Sequence, residues 1–273
     1  MNVRLKRSGK GRLGALEQRF LSYAQLKKMS LVRSGLFREI LELTVEQERK
    51  ILSRLARGGT IIRLKRGVYL VPQQLPLGGV WNPGEALVLR ELMRAYNNGQ
   101  CQLCGWMVFN RYGFTEQVAA RIVVYNNRFY GTRTIAGREF TFIKVPDRRL
   151  GGTNQAKTPD GIEGLMPGKA RALVDAVVEW ARFGTLPRAF AWIRETVRKE
   201  PGITALIVDA AVRFGNQGAI RRIGSVLEPY ELPDSLRRKL KQALQSDKSV
   251  IPLVPGQKMR GRMNPEWGII DNE

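Results

Sequence analysis

The chain predicts an α+β protein: an N-terminal winged helix-turn-helix followed by a larger mixed domain with a small antiparallel sheet and a C-terminal helical region. Three observations carry this expectation. Residues Thr44 to Pro72, TVEQERKILSRLARGGTIIRLKRGVYLVP, read as an amphipathic helix running into a hairpin with a basic tip. Residues 121 to 145 contain alternating runs with the two-residue period of strands, and from Pro167 to about Gln245 the pattern turns helical. The expected boundaries are a basic flexible arm at 1–12, the winged helix-turn-helix domain at 13–72, a Pro/Gly-rich linker at 73–82 and a second domain at 83–273.

The arm holds Arg4, Lys6, Arg7, Lys10 and Arg12 among Gly and Ser, a composition that fits either a DNA-touching extension or a tail without specific contacts. A first helix is expected at Leu13 to Lys28 and a second at Gly35 to Leu41, with Glu42 and Leu43 as the tight link to a third. Thr44 and Gln47 have the spacing of a capping box, and Gly58 and Gly59 supply a stop. Projection of residues 45 to 57 at about 100° per residue puts Val45, Leu52, Leu55 and Ala56 on a packing face and Gln47, Lys50, Arg54 and Arg57 on a polar, cationic one. Glu48 falls on the apolar face, so either it pairs with a neighbouring cation or the helix is slightly rotated from this phase. Thr60 to Leu64 and Val68 to Val71 then form a hairpin around Lys65, Arg66 and Gly67.

This arrangement suits DNA: a helix presents its N-terminal residues to the major groove and a hairpin holds cations against phosphate. Gln47 and Lys50 are the expected base readers, since Gln pairs with adenine and Lys donates to guanine, with Arg49 a third on the helix flank. Arg54, Arg57, Lys65 and Arg66 are expected at phosphates, joined by Arg63 from the wing strand. Leu52, Leu55, Ile62 and Tyr69 are read as core.

Beyond the linker, a helix is expected from Asn82 and Pro83, with Glu85 at its third position, to about Tyr96. Strands follow at Arg121 to Tyr125, Arg133 to Ile135 and Glu139 to Val145, the last two joined across Ala136 and Gly137. Gly184 to Pro187, Pro201, Gly202, Gly215 and Pro233 punctuate the helical region. The tail from Ser249 to Glu273 is irregular, but Trp267, Ile269 and Ile270 predict that it docks. Arg221 and Arg222 could extend a DNA track, form a partner-facing patch or lie on a solvated helix face.

Composition narrows the chemistry. The net charge is +22, and residues 1 to 75 hold 17 Lys and Arg against 5 Asp and Glu, a net of +12. Such an excess steers a protein to polyanions and makes binding salt dependent. No segment approaches the roughly 18 apolar residues of a membrane span and no signal peptide opens the chain, so a cytoplasmic protein is expected. The absence of histidine removes Ser-His-Asp and Cys-His catalysis and His-ligated zinc. Cys101 and Cys104 form a C-x-x-C with no second pair to complete four thiolates, and they lie within an apolar run, so they are expected to pack. Asp160 and Glu163 sit in a Gly-rich loop. Asp175 and Glu179 share a helix with Arg171 and Arg182, read as surface pairing rather than a metal site. No catalytic residue, metal or cofactor is expected. An RNA-binding role lacks the aromatic platform of an RRM or the GXXG loop of a KH domain.

The segment LSRLARGGTIIRLKRGVYLVP resembles the wing signature of the AbiEi-type antitoxins of type IV toxin-antitoxin systems. Gly105 and Trp106, then FTEQVAARIVVYNN, GREFTFIKV, KARALVDAV, the RRIGSVLE of Arg221 to Glu228 and the closing NPEWGIIDN resemble the larger domain of that family in the same order. The resemblance runs from about residue 15 to the end. One departure is Pro167 and Gly168, which stand where the family often carries an acidic residue. The resemblance implies a repressor that binds inverted repeats in the operator of its own operon and an antitoxin that counters a nucleotidyltransferase-fold toxin without a stable complex being assumed. The alternative is a free-standing winged-helix regulator without a toxin partner.

Overall fold

The computed structural model describes residues 13–75, 79–155, 161–245 and 249–273. The arm expected at 1–12, residues 76–78 of the expected linker and Asp160 lie outside them. The protein is a mixed α+β chain with small, largely antiparallel sheets and a helical C-terminal region. It divides into two compact units. Of the described residues, the first takes those up to Gly99 with Thr132–Phe140, Gly161 and Ile162; the second takes Gln100–Gly131, the stretch from Thr141, and those from Glu163 to Glu273.

In the first unit the order is α1 (Ala15–Leu26), β1 (Leu31–Arg33), α2 (Leu36–Leu41), α3 (Val45–Arg57), β2 (Ile62–Lys65), β3 (Val68–Leu70) and α4 (Glu85–Ala95). The three strands pair antiparallel in the order β1-β3-β2, with Val32 opposite Tyr69 and Arg63 opposite Tyr69 on its other side. Strand β1 escapes the sequence reading because three residues show no period. Gly67 turns the β2–β3 hairpin at φ 71°, a conformation open to glycine at little cost. Phe20, Leu21, Val32, Phe37, Ile51, Leu52, Leu55 and Ile61 form the core beneath α3. Burial of such side chains is worth roughly 1.5–3 kcal/mol each.

Two expectations shift here. Helix α4 begins at Glu85 behind an extended Gly84, so Glu85 is its first residue rather than its third. The compact unit also reaches Gly99 instead of closing near residue 72. The reason is visible in polar contacts: Lys65 Nζ donates to the Ala95 carbonyl at 2.6 Å, and Arg94 Nη1 donates to Ser30 Oγ at 3.3 Å, tying the end of α4 to the hairpin and to β1.

The chain continues through β4 (Cys101–Cys104), α5 (Trp106–Arg111), β5 (Ile122–Asn126), β6 (Gly131–Ile135) and β7 (Arg138–Lys144), four strands ordered β4-β5-β7-β6. The helical region comprises α6 (Lys169–Val178), α7 (Trp180–Phe183), α8 (Arg188–Lys199), α9 (Ile203–Phe214), α10 (Gln217–Leu227) and α11 (Asp234–Gln242). Leu173, Phe190, Ile193, Ile207, Val208 and Ile223 are fully buried in its core. The tail is more regular than expected, because β8 (Ile251–Pro252), β9 (Arg262–Asn264) and β10 (Ile269–Asp271) form a sheet with β10 central. Trp267 and Ile269 are buried as expected, whereas Ile270 is half-buried.

Arg221 and Arg222 are neither a DNA track, a partner patch nor a solvated face. Both are buried on α10 and face the tail. Arg221 Nε donates to the Trp267 carbonyl at 2.7 Å and its terminal nitrogens reach the Gly268 and Ser249 carbonyls; Arg222 donates to the Leu253 and Pro252 carbonyls at 3.0 and 3.1 Å. Burial lowers the Arg222 pKa, and Arg221 beside it adds to that effect. The Arg171–Asp175 pair is likewise interior and not surface pairing. Arg171 Nε meets Asp175 Oδ2 at 2.9 Å with both side chains about 2% exposed, and the guanidinium lies 3.7 Å from the Phe214 ring centroid. Burial pushes the Asp175 carboxyl up, against the pull of Arg171. Cys104 is buried and Cys101 half-buried on β4; desolvation pushes the Cys101 thiol up to about 12 and raises Cys104 well above its usual value. Neither is set up as a thiolate nucleophile.

Candidate nucleic-acid interface

Helix α3 is held from three sides. At its start Gln47 N donates to Thr44 Oγ1 at 3.2 Å and Thr44 N donates to Gln47 Oε1 at 2.8 Å, the reciprocal capping box the spacing predicts. On its inner face Ile51, Leu52 and Leu55 are buried. Glu48, also buried, resolves the phase question: its carboxylate accepts from Gly35 N at 2.8 and 2.9 Å and from Phe37 N at 3.2 Å, with Arg38 Nε at 3.7 Å. The helix keeps its expected phase. Glu48 satisfies amides at the start of α2 that have no intrahelical acceptor, and its negative charge suits that end of a helix.

Val45 differs from expectation. Placed on the packing face by projection, it is 63% exposed, because as the first helical residue it lies ahead of the turn that meets the core. Ala56 and Tyr69 are half-buried, while Leu52, Leu55 and Ile62 are buried as expected.

The outer face gathers most of the expected site. Gln47, Arg49, Lys50, Arg54 and Arg57 are all exposed, and Glu46, Arg49, Lys50, Ser53, Arg54 and Arg57 line a shallow open depression along α3. Within it Lys50 pairs with Glu46 at 2.9 Å, an exposed i,i+4 pair that is worth little in water and can yield to another partner. Arg54 is aimed by Glu17 of α1, whose buried carboxylate accepts its Nε at 2.9 Å. Gln47 uses its side-chain oxygen in the cap, leaving the amide nitrogen as its outward donor. Arg63 and Arg66 are exposed on the hairpin. Lys65 is not brought to the same use: half-buried, it ends on the α4 carboxyl terminus and over the Tyr96 ring at 3.9 Å. A cation at a helix C-terminus is a structural cap.

No protein-family model matches the chain, and no curated protein matches it. Among solved structures, the crystal structure of the RV2827C protein from Mycobacterium tuberculosis aligns with a TM-score of 0.57 at 15% identity, covering 96% of this chain and 92% of that chain. The two proteins share a fold.

Sequence reasoning missed Glu46 and Ser53 on the outer face, since neither is a cation, and it missed the orienting role of Glu17. Glu17 had a legible signal: it stands three residues after Gly14, and its Oε2 accepts the Gly14 amide at 2.8 Å in the manner of a capping box. Among the described residues no group of three or more Cys, Asp or Glu side chains is arranged to hold a metal ion, and no helix is long and apolar enough to cross a membrane.

Proposed function

We propose that the first unit is a winged helix that binds double-stranded DNA, with α3 as the reading helix and the β2–β3 hairpin as the wing. The observation that carries this reading is the outer face of α3: four exposed cations, Arg49, Lys50, Arg54 and Arg57, on a helix whose opposite face is buried and whose first turn is fixed by a capping box. Guanidinium forks and an ammonium held on one face match phosphate oxygens and base-edge acceptors. The order helix, strand, two helices and hairpin supports the winged-helix reading, and the +12 charge of residues 1 to 75 supports a polyanionic partner.

We further propose, from the motif resemblance alone, that the chain is an AbiEi-type antitoxin that represses its own operon at inverted repeats and counters a nucleotidyltransferase-fold toxin. The test has two arms. Full-length protein is titrated against the DNA upstream of its gene and against random duplex, and it is co-expressed with the product of the neighbouring gene in a growth assay. Preferential binding upstream with rescue of growth supports the whole reading; preferential binding without rescue leaves a free-standing repressor; equal affinity for both DNAs overturns α3 as a reader.

A further inference from the structure

A second concave site lies in the first unit, independent of the α3 face. Between α4, the ends of β1 and β3, and Trp81 is a cleft of about 410 Å³, within the size range of small-molecule sites. Its base is Glu91, a carboxylate with no solvent exposure. Glu91 Oε1 accepts Arg90 Nε at 3.0 Å and Oε2 accepts Arg94 Nη1 at 2.8 Å; Arg94 Nη1 also reaches Ser30 Oγ.

Both arginine side chains remain about half exposed, at 46% and 55%. A guanidinium has five donors, so each keeps N–H groups beyond those given to Glu91 and Ser30. Lys28 is a third cation on the lining. Two of the three cations, Arg90 and Arg94, are held in place by the one carboxylate, and the lining carries an excess of two positive charges. The other wall is apolar: Trp81, Leu70 and Leu87 line it, and Trp81 is anchored by its amide, which donates to the Gly59 carbonyl at 2.8 Å.

This pairing of chemistries narrows the ligand. Oriented guanidiniums match a phosphate, and an indole offers a stacking face for a flat heteroaromatic ring. A DNA backbone contact would make no use of the apolar wall. We propose that this cleft binds a nucleoside monophosphate, its phosphate on Arg90, Arg94 and Lys28 and its base against Trp81.

The test is calorimetric titration of the full-length protein at about 150 mM salt, chosen to screen diffuse attraction to a +22 chain. The probes are AMP, adenosine and inorganic phosphate. AMP is expected to bind once per chain, about tenfold or more tighter than either half alone, the scale of one stacked base. Arg90→Leu and Trp81→Ala should each weaken AMP by about tenfold, Trp81→Phe should retain it, and Arg66→Ala on the hairpin should leave it unchanged. Arg90 is exposed and Trp81 half-buried, and circular dichroism of each variant confirms that it folds. AMP binding no tighter than phosphate, absent altogether, or undiminished in folded Arg90→Leu and Trp81→Ala overturns the proposal.

Discussion

Glu48 decides how α3 stands. An isolated buried carboxylate would be costly, but here two backbone amides and Arg38 surround it, and those amides belong to the residues that open α2. Glu48→Ala would remove the acceptor for Gly35 and Phe37 and leave Arg38 without its carboxylate, at a cost of about 2–3 kcal/mol for hydrogen bonds to a charged group. Hydrogen exchange should show the Gly35 and Phe37 amides losing protection, with Glu48→Gln losing less because its amide oxygen still accepts. Unchanged protection in Glu48→Ala would mean that these bonds do not hold α2 and α3 together. Lys65 and Arg66 make a second contrast between adjacent cations. Since Lys65 caps α4 and Arg66 is exposed, Arg66→Ala should reduce the slope of log K against log salt for DNA by about 0.9, the share of one phosphate contact. Lys65→Ala should leave that slope nearly unchanged and lower the melting temperature instead, by the loss of a cap and a cation–π contact of about 1 kcal/mol each. A slope change for Lys65→Ala equal to that of Arg66→Ala would return it to the phosphate-binding set.

At the scale of elements, the tail sheet is held less by its short strands than by α10. Arg221 and Arg222 supply donors to five backbone carbonyls of residues 249–268, and Trp267 lies over Gly224, where an added Cβ would come within 2.5 Å of the indole. Gly224→Ala should therefore displace Trp267 and cost about 1–3 kcal/mol through overpacking. Arg221→Ala should cost about 3 kcal/mol or more, because it leaves buried carbonyls without donors. Limited trypsin digestion reads both: Lys258, Arg260 and Arg262 are exposed and should be cut faster in each variant than in the parent protein. Equal cutting rates would show that the sheet stands without α10. These same residues mark where the sequence was legible and where it was not. The capping box of α3 and the β6–β7 hairpin could be read directly, since their signals lie within a few neighbouring residues. Arg221, Arg222 and Arg171 could not, because charge alone points to solvent, and their acceptors, apart from Asp175, lie 22 to 47 residues away along the chain. Strands of two or three residues, such as β1 and β8, carry too little periodicity to register. On α3 the helical period separated outer cations from inner leucines correctly, but it could not tell that Val45 precedes the buried turn; in the hairpin, no neighbouring residue signals that Lys65 ends on α4, 30 residues away.

For the whole molecule, the net charge of +22 raises affinity for any polyanion, so binding to heparin or bulk DNA says little about reading. The informative quantity is the ratio of affinities for operator and random duplex as salt rises. Phosphate contacts release counterions on both DNAs, and that term weakens steeply between about 50 and 200 mM salt. Base-edge hydrogen bonds from Arg49 and Lys50 would add a salt-insensitive difference of roughly 1–3 kcal/mol per well-made bidentate pair, and Gln47, whose oxygen is held in the cap, would add a smaller one through its amide nitrogen alone. If α3 reads bases, both affinities should fall together over this range while their ratio holds or grows. Fluorescence anisotropy with the two duplexes at four salt concentrations measures it, and Gln47→Ala should lower the operator affinity with little effect on the random duplex. A ratio that falls to one as salt rises would mean that the face of α3 is a phosphate track, and that any preference among DNAs comes from their shape and flexibility instead.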